Sequence, residues 1–473
     1  MLKIYKNIKK RLSIEKPVLD PNSTWPDSAW VDEFIAKVKP YIFVRLEDNL
    51  LIRMPNQAQK LNPTGAQVLK SLLDGMSIQQ LMRSLSHDPT KQRDTLNFLH
   101  AIRLHLEGKS DKFPFNSAVE TSPFSMKFSD YPVLSEIAIT YRCNLRCRFC
   151  YAGCNCSANP TGSDQEMTAA QIQMVLDKIF HQAKTPSVSF TGGEPTLRPE
   201  LPELIGYAKK LGMRVNLITN GVRIDRDLAQ HYADCGLDSA QVSLEGISAD
   251  THEAGVGVTG VYSRTIEAVG HLKAAGIHAH TNLTITRLNL PEVDAFPGFV
   301  KRELGGDRFS MNLIIPTGSA AINDDLIVSY SEIRGYLERI IDRSEQENVE
   351  FMWYSPMPMC MFNSILHGLG NKGCSACDGL ISVGANGDVL PCASFDDPVG
   401  NLLRLDFREI WQSAPAKRYR AKALAHPICQ KCEDFYICNG ACPLYWRQIG
   451  YDELYIASSG HQNDSEKNSR VKN

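Results

Sequence analysis

The sequence predicts an α/β fold centred on a parallel sheet, with a small domain before it and a cysteine-rich segment after it. Between residues 137 and 314, six short apolar runs alternate with segments of helical periodicity, which is typical of consecutive βα units. A hairpin pattern and three short helices precede residue 110, and closely spaced cysteines return after residue 370. The predicted strands cover residues 137–139, 187–190, 215–219, 240–244, 279–285 and 308–314.

Composition narrows the class of protein. A chain of 473 residues suits two or three domains, and 51 Lys and Arg against 53 Asp and Glu do not indicate nucleic-acid binding. No apolar run reaches the length of about 18 residues that a membrane span needs. The basic N-terminus lacks the apolar core of a signal peptide, so it is a solvated arm or a short amphipathic segment on a membrane surface. Fourteen cysteines in short-spaced groups then indicate metal binding in the cytoplasm rather than disulfides.

The N-terminal domain is predicted from local turn and capping signals. Two β-rich runs in residues 41–54 are followed by three helices, which is a winged-helix pattern. No helix concentrates basic residues, so DNA recognition is not favoured. The signals are the turn pair Asp48-Asn49, the helix starts Asn62-Pro63 and Asp88-Pro89, and the capping box from Ser77 to Gln80.

The first apolar strand of the sheet leads into a loop that carries Cys143, Cys147 and Cys150. Three thiolates at C-x3-C-x2-C spacing can hold three irons of a cubane cluster and leave the fourth iron open to a small molecule. A zinc site is the alternative, but zinc motifs usually combine C-x2-C with a second, distant pair. The sequence therefore favours an iron–sulfur cluster at this strand exit.

This spacing resembles that of the radical S-adenosylmethionine (SAM) superfamily. The resemblance implies a [4Fe–4S] cluster on the three cysteines, SAM on the open iron, and reductive cleavage of SAM to a 5′-deoxyadenosyl radical. It also implies that the parallel sheet is a partial (β/α)6 barrel. Chemistry in such folds lies at the carboxyl ends of the strands, and the motifs that follow lie at those ends.

Four strand ends carry candidate SAM or substrate contacts. The run Thr191 to Pro195, TGGEP, combines two glycines that allow close backbone approach with a carboxylate that can accept from an ammonium group. It resembles the superfamily's GGEP motif, which holds the SAM amino group. Glu245 replaces an Asp of many relatives, and Asn282 and Thr284 are either substrate contacts or inward-pointing polar residues of the barrel. The cofactor-binding residues implied by the resemblance are Phe149, Gly192, Gly193, Glu194, Pro195, Asn220 and Ser243.

The C-terminal cysteines follow the pattern C-x9-G-x4-C, a gap, and C-x2-C-x5-C-x3-C. On spacing alone these thiolates could bind zinc, but with the radical SAM triad the pattern resembles the SPASM extension, which carries two auxiliary iron–sulfur clusters. The resemblance implies a near cysteine set, Cys374, Cys377, Cys392 and Cys442, and a far cysteine set, Cys429, Cys432 and Cys438.

The far cysteine set departs from the family pattern, because no cysteine follows Cys442. Its cluster then takes a non-cysteine ligand, keeps an open iron, or is incomplete. The candidate non-cysteine ligands are Asp452, Glu453 and His461. Because the C-x2-C spacing of the near set is tight, a further alternative is that Cys360 replaces Cys374. Outside these sets, Cys154 and Cys156 are interpreted as loop thiols or as substrate or cluster contacts, and Cys235 as a buried filler.

Residues 61–85 resemble the PqqD-like peptide-recognition domain typified by the pyrroloquinoline quinone chaperone, in which a strand edge captures a leader peptide. A dimerisation domain is the alternative for this region. Together the resemblances imply a radical SAM/SPASM maturase of a ribosomally made precursor peptide or small protein, reduced by a flavodoxin- or ferredoxin-type partner. The alternatives are synthesis of a haem-type or metal-pterin cofactor, and a non-catalytic electron-transfer or peptide-delivery protein.

The predicted domain organisation has seven segments. They are an extension (1–38), the PqqD-like domain (39–110), a linker (111–130), the radical SAM barrel (131–320), a bridging helical segment (321–372), the SPASM domain (373–455) and a disordered tail (456–473).

Overall fold

The computed structural model describes residues 28–55, 57–85, 88–107, 129–154 and 166–456. It divides into two compact units, Met1–Asp130 and Tyr131–Asn473. The predictions made for residues 1–27, for nearly all of the linker, for Cys156, for His461 and for the tail after residue 456 lie outside the described residues. No helix within the described ranges is both long and apolar enough to cross a membrane.

The first unit combines a three-stranded antiparallel sheet of order β1-β2-β3 with four helices. The predicted hairpin is confirmed, with Phe43 opposite Ile52 across β1 and β2. Its elements are α1 (Trp30–Val38), β1 (Ile42–Arg45), β2 (Leu50–Arg53), β3 (Gln57–Lys60), α2 (Pro63–Leu73), α3 (Ile78–Ser84) and α4 (Pro89–Leu106).

The capping signals of this unit act as predicted. The Asn62 side chain accepts from the Gly65 N–H at 2.7 Å and so caps α2. Ser77 and Gln80 form both hydrogen bonds of the capping box at the start of α3. Asp88 caps α4 through the N–H groups of the next turn. These short-range bonds explain why the sequence locates the three helix starts.

Two elements of the first unit differ from the prediction. Residues 30–38 were expected to belong to a polar extension, but they form α1, whose Val31, Phe34 and Ile35 are buried in the apolar core of the unit. The folded unit therefore begins before residue 39. Strand β3 has the sequence QAQK, which lacks the apolar alternation of a half-buried strand, so its pairing with β2 has no signal in the sequence.

The second unit is built on a ten-stranded sheet of order β10-β9-β8-β7-β6-β5-β4-β11-β12-β13. All six predicted strands are present, as β4 to β9, and each pairs in parallel with its neighbours. The strands are β4 (Leu134–Thr140), β5 (Ser187–Gly192), β6 (Arg214–Thr219), β7 (Ser239–Ser243), β8 (His278–Ile285), β9 (Arg308–Leu313), β10 (Glu350–Trp353), β11 (Leu380–Val383), β12 (Asp388–Leu390) and β13 (Gly400–Asn401).

Helices cover the outer face of this sheet, as βα connections require. Two apolar clusters lie between helices and strands, one centred on β4 to β7 and the other on β8 to β10. The helices are α5 (Ala169–Asp177), α6 (Leu201–Lys210), α7 (Arg226–Asp234), α8 (Ala249–Val256), α9 (Tyr262–Ala274), α10 (Phe296–Arg302), α11 (Tyr330–Glu347), α12 (Phe407–Trp411), α13 (Ala414–Arg420), α14 (Pro427–Gln430), α15 (Phe435–Cys438) and α16 (Pro443–Ile449).

The sheet is larger than predicted at both edges. The segment 321–372 was expected to be a helical bridge, but α11 is followed by β10, which pairs in parallel with β9. At the other edge, β11 of the cysteine-rich segment pairs in parallel with β4, and β12 and β13 continue the sheet antiparallel. The C-terminal segment therefore shares one sheet with the barrel strands, which connects it directly to the strand that precedes the cysteine loop.

Candidate active site and cysteine sets

The loop after β4 that carries the cysteine triad is held by backbone hydrogen bonds to the end of α8. The Arg146 N–H donates to the Val256 carbonyl at 2.9 Å, and the Arg148 N–H donates to the Gly255 carbonyl at 3.1 Å. Behind the loop, a Cβ on Gly318 would lie only 2.4 Å from the Tyr151 carbonyl. Backbone on two sides therefore fixes the conformation of the loop.

The three thiols of the triad have different surroundings. Cys143 and Cys147 pack against the small apolar cluster formed by Leu145 and three valines. Burial raises the pKa of Cys143 to about 11 and that of Cys147 well above its usual value. A hydrogen bond with the buried Cys154 thiol lowers the pKa of Cys150 to about 6. Iron binds thiolates, so cluster assembly has to displace protons from two apolar positions.

The two glycines of the TGGEP run bring β5 against the cysteine loop. Gly192 has φ +137°, and a Cβ there would lie 2.1 Å from the Thr140 carbonyl oxygen. A Cβ on Gly193 would lie 2.3 Å from the Arg142 carbonyl oxygen. The N–H groups of Gly193 and Glu194 donate to these same two carbonyls at 2.8 Å. Only glycine permits this approach, so the two motifs predicted from sequence form one continuous backbone surface.

Glu194 is completely buried and bonded to its own chain. Its carboxylate accepts from the Thr196 N–H and hydroxyl, from the Thr219 hydroxyl at 2.7 Å, and from the Asn220 N–H at 2.8 Å. Four such bonds match the acceptor capacity of a carboxylate. Burial raises its pKa, and the hydrogen bonds oppose that rise. The geometry makes Glu194 a link between the ends of β5 and β6, and its contact with the SAM amino group stays a prediction.

The remaining predicted SAM contacts lie around the same edge of the sheet. Asn220, at the end of β6, donates to the Asn144 side chain within the cysteine loop at 2.8 Å. Pro195 is buried in the turn after Glu194, and Ser243 is half-buried at the end of β7. Phe149 packs beside Ile314 and its neighbours after β9. The structure thus brings the predicted residues together, while their contacts with SAM stay predictions.

Glu245 is a buried carboxyl group just after β7. The Thr284 N–H donates to it at 2.7 Å, and its own N–H donates to Nδ1 of His252 at 3.1 Å. Burial raises the pKa of Glu245 to about 8. Its charge contributes to the raised pKa of Cys147, which places Glu245 on the side of the cysteine loop. At neutral pH the group is therefore mostly protonated.

Asn282 and Thr284 belong to a polar network in the interior of the barrel. Asn282 donates to Asn312 at 2.8 Å and accepts from the Ser310 hydroxyl at 2.8 Å. The Thr284 hydroxyl accepts more weakly from Asn312 at 3.4 Å. Satisfied internal bonds favour the interpretation of both residues as inward-pointing polar residues.

A small cavity of about 20 Å³ lies between the ends of β4 and β5 and the β11–β12 turn. Tyr141, Tyr151 and Gly192 line one side, and Ser382 and Ala393 line the other. The Glu136 side chain also borders it; Ser382 donates to this carboxylate, and burial raises its pKa. The sequence does not single out Glu136, although a lone acidic residue in the apolar run LSEIAIT is a usable signal.

The near cysteine set is assembled around the β11–β12 turn. The Cys377 N–H donates to the Pro391 carbonyl at 2.9 Å, next to Cys392. After burial, charge at Cys374 is the largest cause of the raised pKa of both Cys392 and Cys442, so the thiols are electrostatic neighbours. Burial raises the pKa of the Cys374 thiol, and the charge of the buried Lys422 ammonium, which donates to the Cys374 carbonyl at 2.6 Å, opposes that rise.

The far cysteine set lies on a short helical turn. The Cys432 N–H donates to the Cys429 carbonyl at 3.0 Å, and charges at Cys438 and Cys432 contribute to the raised pKa of Cys429, about 11. Cys360 lies beside this set, because the N–H of the adjacent Met359 donates to Sγ of Cys438 at 3.4 Å. The alternative in which Cys360 replaces Cys374 therefore has no support in the structure.

Of the predicted non-cysteine ligands of the far set, Asp452 and Glu453 are described and His461 is not. Glu453 accepts from the Ser331 N–H at 2.7 Å and from the Tyr445 hydroxyl, and Asp452 is exposed. Among the described residues no three His, Cys, Asp or Glu side chains lie close enough to bind one metal ion. A zinc site needs four ligands on one ion, whereas the thiolates of a cubane bind different irons. The donor sets fit clusters better than single ions.

Comparison with known families identifies the class. The model of the radical SAM superfamily matches residues 137–295, which include the triad and the motifs after β5 to β7. The SPASM iron–sulfur cluster-binding domain matches residues 374–433. The chain is therefore an enzyme with a radical SAM domain, which binds a [4Fe–4S] cluster and SAM. Within that class it is a SPASM-domain enzyme, and its SPASM domain binds auxiliary iron–sulfur clusters.

Similar proteins have more than one activity. The AdoMet-dependent heme synthase of Oleidesulfovibrio alaskensis is 28% identical over 319 residues, which cover 64% of this chain and 80% of that protein. The PqqA peptide cyclase of Streptomyces rochei is 27% identical over 328 residues, covering 65% and 83%. The structure of Streptococcus suis SuiB bound to its precursor peptide SuiA has a TM-score of 0.63 at 19% identity, covering 86% and 95%. This last likeness concerns the fold.

Proposed function

We propose that the enzyme modifies a ribosomally made precursor peptide. The observation that carries the proposal is the extent of the structural likeness to SuiB. Residues 131–473 are less than three quarters of the chain, so a match over 86% must extend into the first unit. The sequence matches to the haem synthase and to the PqqA peptide cyclase cover nearly equal shares of the chain, 64% and 65%, and do not distinguish the two substrates. An additional unit shared with a peptide-binding enzyme supports a peptide substrate.

The cysteine loop and the strand ends would hold the cofactors. When bound, the cluster supplies the electron for reductive cleavage of SAM, and the resulting 5′-deoxyadenosyl radical abstracts a hydrogen atom from the substrate. The protein contributes position and exclusion of water. In this proposal Cys143, Cys147 and Cys150 ligate the cluster. The SAM cradle consists of Phe149, Gly192, Gly193, Glu194, Pro195, Asn220 and Ser243, and Glu194 also links the ends of β5 and β6.

The cavity beside the cysteine loop would receive the reacting side chain of the peptide. The cavity is small, about 20 Å³, so entry of a side chain requires the lining residues to move apart. Gly192 and Tyr151 border it on the side of the radical SAM motifs, and Ala393, next to Cys392, borders it on the other side. A substrate radical formed there would lie between the two cluster sites. The near auxiliary cluster could then accept its electron, and a flavodoxin- or ferredoxin-type protein would reduce the first cluster.

The open edge of β3 would bind the leader of the precursor. The Leu61 N–H donates to the Asn49 carbonyl at 2.8 Å in register with the β2–β3 ladder. Successive residues of an antiparallel strand direct their backbone hydrogen bonds to alternate sides of the strand. The N–H groups of Ala58 and Lys60 therefore point away from β2. Among the described residues β3 pairs only with β2. An added peptide strand is a common use of such an edge.

Synthesis of a haem-type cofactor is the second candidate, because several relatives are named haem synthases. The deciding experiment uses anaerobically reconstituted enzyme, SAM and dithionite. The short peptides encoded beside the gene are supplied one by one, and Fe-coproporphyrin III is supplied separately. We expect a peptide to lose mass or gain a cross-link with formation of 5′-deoxyadenosine. A modified porphyrin and unmodified peptides would establish the second candidate.

A variant pair tests the role of the β3 edge. Ala58→Pro removes an outward N–H and leaves the bonds to β2, since edge strands tolerate proline. Lys60→Ala changes a side chain on the same edge and keeps every N–H. We expect Ala58→Pro to weaken peptide binding about tenfold or more, with SAM cleavage unchanged, and Lys60→Ala to bind as the wild type does. Equal peptide affinities for both variants would exclude strand addition at β3.

A further inference from the structure

We propose that Cys360 is the fourth ligand of the second auxiliary cluster, together with Cys429, Cys432 and Cys438. The proposal concerns a metal site and holds whichever substrate the enzyme takes. Cys360 lies in the segment between β10 and β11 and precedes the SPASM match at residues 374–433.

The position of Cys360 follows from its neighbours in the chain. The Met359 N–H donates to Sγ of Cys438 at 3.4 Å, so the residue next to Cys360 is in direct contact with a far-set thiol. The Met361 N–H donates to the Pro358 carbonyl at 2.9 Å and closes a turn around Cys360. The turn directs residues 359 and 360 towards the far cysteine set.

Buried side chains hold this turn in place. Met357 and Phe362 are each 2% exposed and belong to the apolar cluster that also contacts Cys429. The segment returns across the same surface, because a Cβ on Gly373 would lie 2.5 Å from the Asn439 side chain. A loop anchored before and after Cys360 gives the thiol a defined position, which a cluster ligand requires.

The contact of Met359 with Cys438 places Cys360 beside the far set, and the effect of the far-set thiols on the pKa of Cys360 agrees with it. Burial, and then charges at Cys438, Cys429 and Cys432, raise the pKa of the Cys360 thiol to about 12. Four cysteine thiolates are also the usual ligand set of a closed [4Fe–4S] cluster.

Two other candidates for the fourth ligand, His426 and Glu453, form hydrogen bonds elsewhere. His426 stands closest in sequence to Cys429, but its Nδ1 accepts from the Ile428 N–H at 3.2 Å. Its Nε2 lies 3.1 Å from the Tyr455 hydroxyl. Glu453 is bonded to Tyr445 and to the backbone of α11. Among the described residues, Cys360 is therefore a thiol that belongs to neither predicted set and lies next to the far cysteine set.

The first test measures iron and sulfide in the anaerobically reconstituted full chain. Three complete clusters correspond to about twelve irons per chain. We expect Cys360→Ala to lose up to a third of the iron, with the loss confined to one auxiliary signal in the electron paramagnetic resonance spectrum of the reduced protein. Cys235→Ala is the matched control, because burial and Asp234 alone raise the pKa of that thiol at the end of α7.

A second variant separates ligand loss from misfolding. Cys360→Ser keeps the size of the side chain and offers an oxygen ligand, so we expect retained iron with a shifted auxiliary signal and an altered Mössbauer spectrum. Circular dichroism and the iron of the other two clusters report on folding. If Cys360→Ala keeps the iron, sulfide and spectra of Cys235→Ala, the assignment is wrong. If the alanine variant does not fold, a Cys360→Ser spectrum identical to that of the wild type overturns it equally.

Discussion

The two cysteine-rich regions of the second unit are built in opposite ways. The triad places Cys143, Cys147 and Cys150 in one loop of eight residues at the end of one strand. The auxiliary thiols come from separate segments between residues 360 and 442, which meet because β11 pairs with β4 and the chain returns through helices. A site within one loop can be recognised from spacing alone. A site assembled from distant segments requires the fold.

This difference affects how each cysteine-rich region responds to mutation. The triad loop is held mainly by backbone hydrogen bonds, to α8 and to β5, so most side-chain changes leave its conformation intact. The near cysteine set depends on a sheet edge and on cations such as Lys422, which link several segments. We therefore expect a change in the triad to affect one function cleanly, and a change in the auxiliary sets to affect both a cluster and local stability.

The largest expected effect comes from Cys147→Ala. The variant removes one of three proposed ligands, so formation of 5′-deoxyadenosine should fall to the background of the reductant. About four of about twelve irons should be lost while both auxiliary signals remain. Cys235→Ala, measured in parallel, should keep both activity and iron. Loss of all iron would contradict the independence of the two regions.

For Cys392→Ala we expect the opposite pattern, in which SAM cleavage is retained and peptide modification is lost. Without a complete near cluster, the reductive cleavage of SAM should continue in the absence of substrate. Peptide product should fall by more than the roughly 100-fold that outer-sphere changes cost in metal sites. The ratio of 5′-deoxyadenosine to peptide product, measured by mass spectrometry, reports the uncoupling. A proportional decrease of both would place the near cluster upstream of SAM cleavage instead.

The difference between a site within one loop and a site assembled from distant segments also determines which features can be predicted from the sequence. The six strands of the barrel, the capped helices after Asn62 and Ser77, and the triad depend on residues within a few positions of each other. The contribution of Cys360, the polar strand β3 and the edge strand β10 depend on tertiary pairing, for which the local pattern carries no signal. Helix α1 was not predicted, because polar residues surround it in the sequence, although Val31, Phe34 and Ile35 have helical spacing.

The glycine contact between β5 and the triad loop tests how rigidly the local site is held. Gly193→Ala places a methyl group against the Arg142 carbonyl, so we expect a loss of about 1–3 kcal/mol in stability. SAM affinity should fall about tenfold, since the loop has to shift. Isothermal titration with SAM and thermal unfolding measure both effects. Gly206→Ala, in open space within α6, should be neutral or stabilising by up to about 1 kcal/mol.

The smallest effect concerns the buried carboxyl group beside the triad loop. Glu245 has a pKa raised to about 8 by burial, against an ordinary value near 4.5. Between these values the folded state keeps a proton that the unfolded state releases, so this contribution to stability is complete below the ordinary pKa and declines as the pH rises towards 8. Glu245→Gln keeps the acceptor for the Thr284 N–H and does not titrate. Its stability relative to the wild type should therefore increase with pH across this window.

Glu253→Gln is the control, because the pKa of Glu253 is shifted in the opposite direction. Glu253 lies on the same helix as His252. Hydrogen bonds from the N–H groups of Tyr262 and Gly260 lower the pKa of Glu253, so its contribution is already constant above its ordinary pKa. Denaturant unfolding of the two apoprotein variants and the wild type should give a pH-dependent difference only for Glu245→Gln. Parallel curves would mean that Glu245 is ionised in the folded protein.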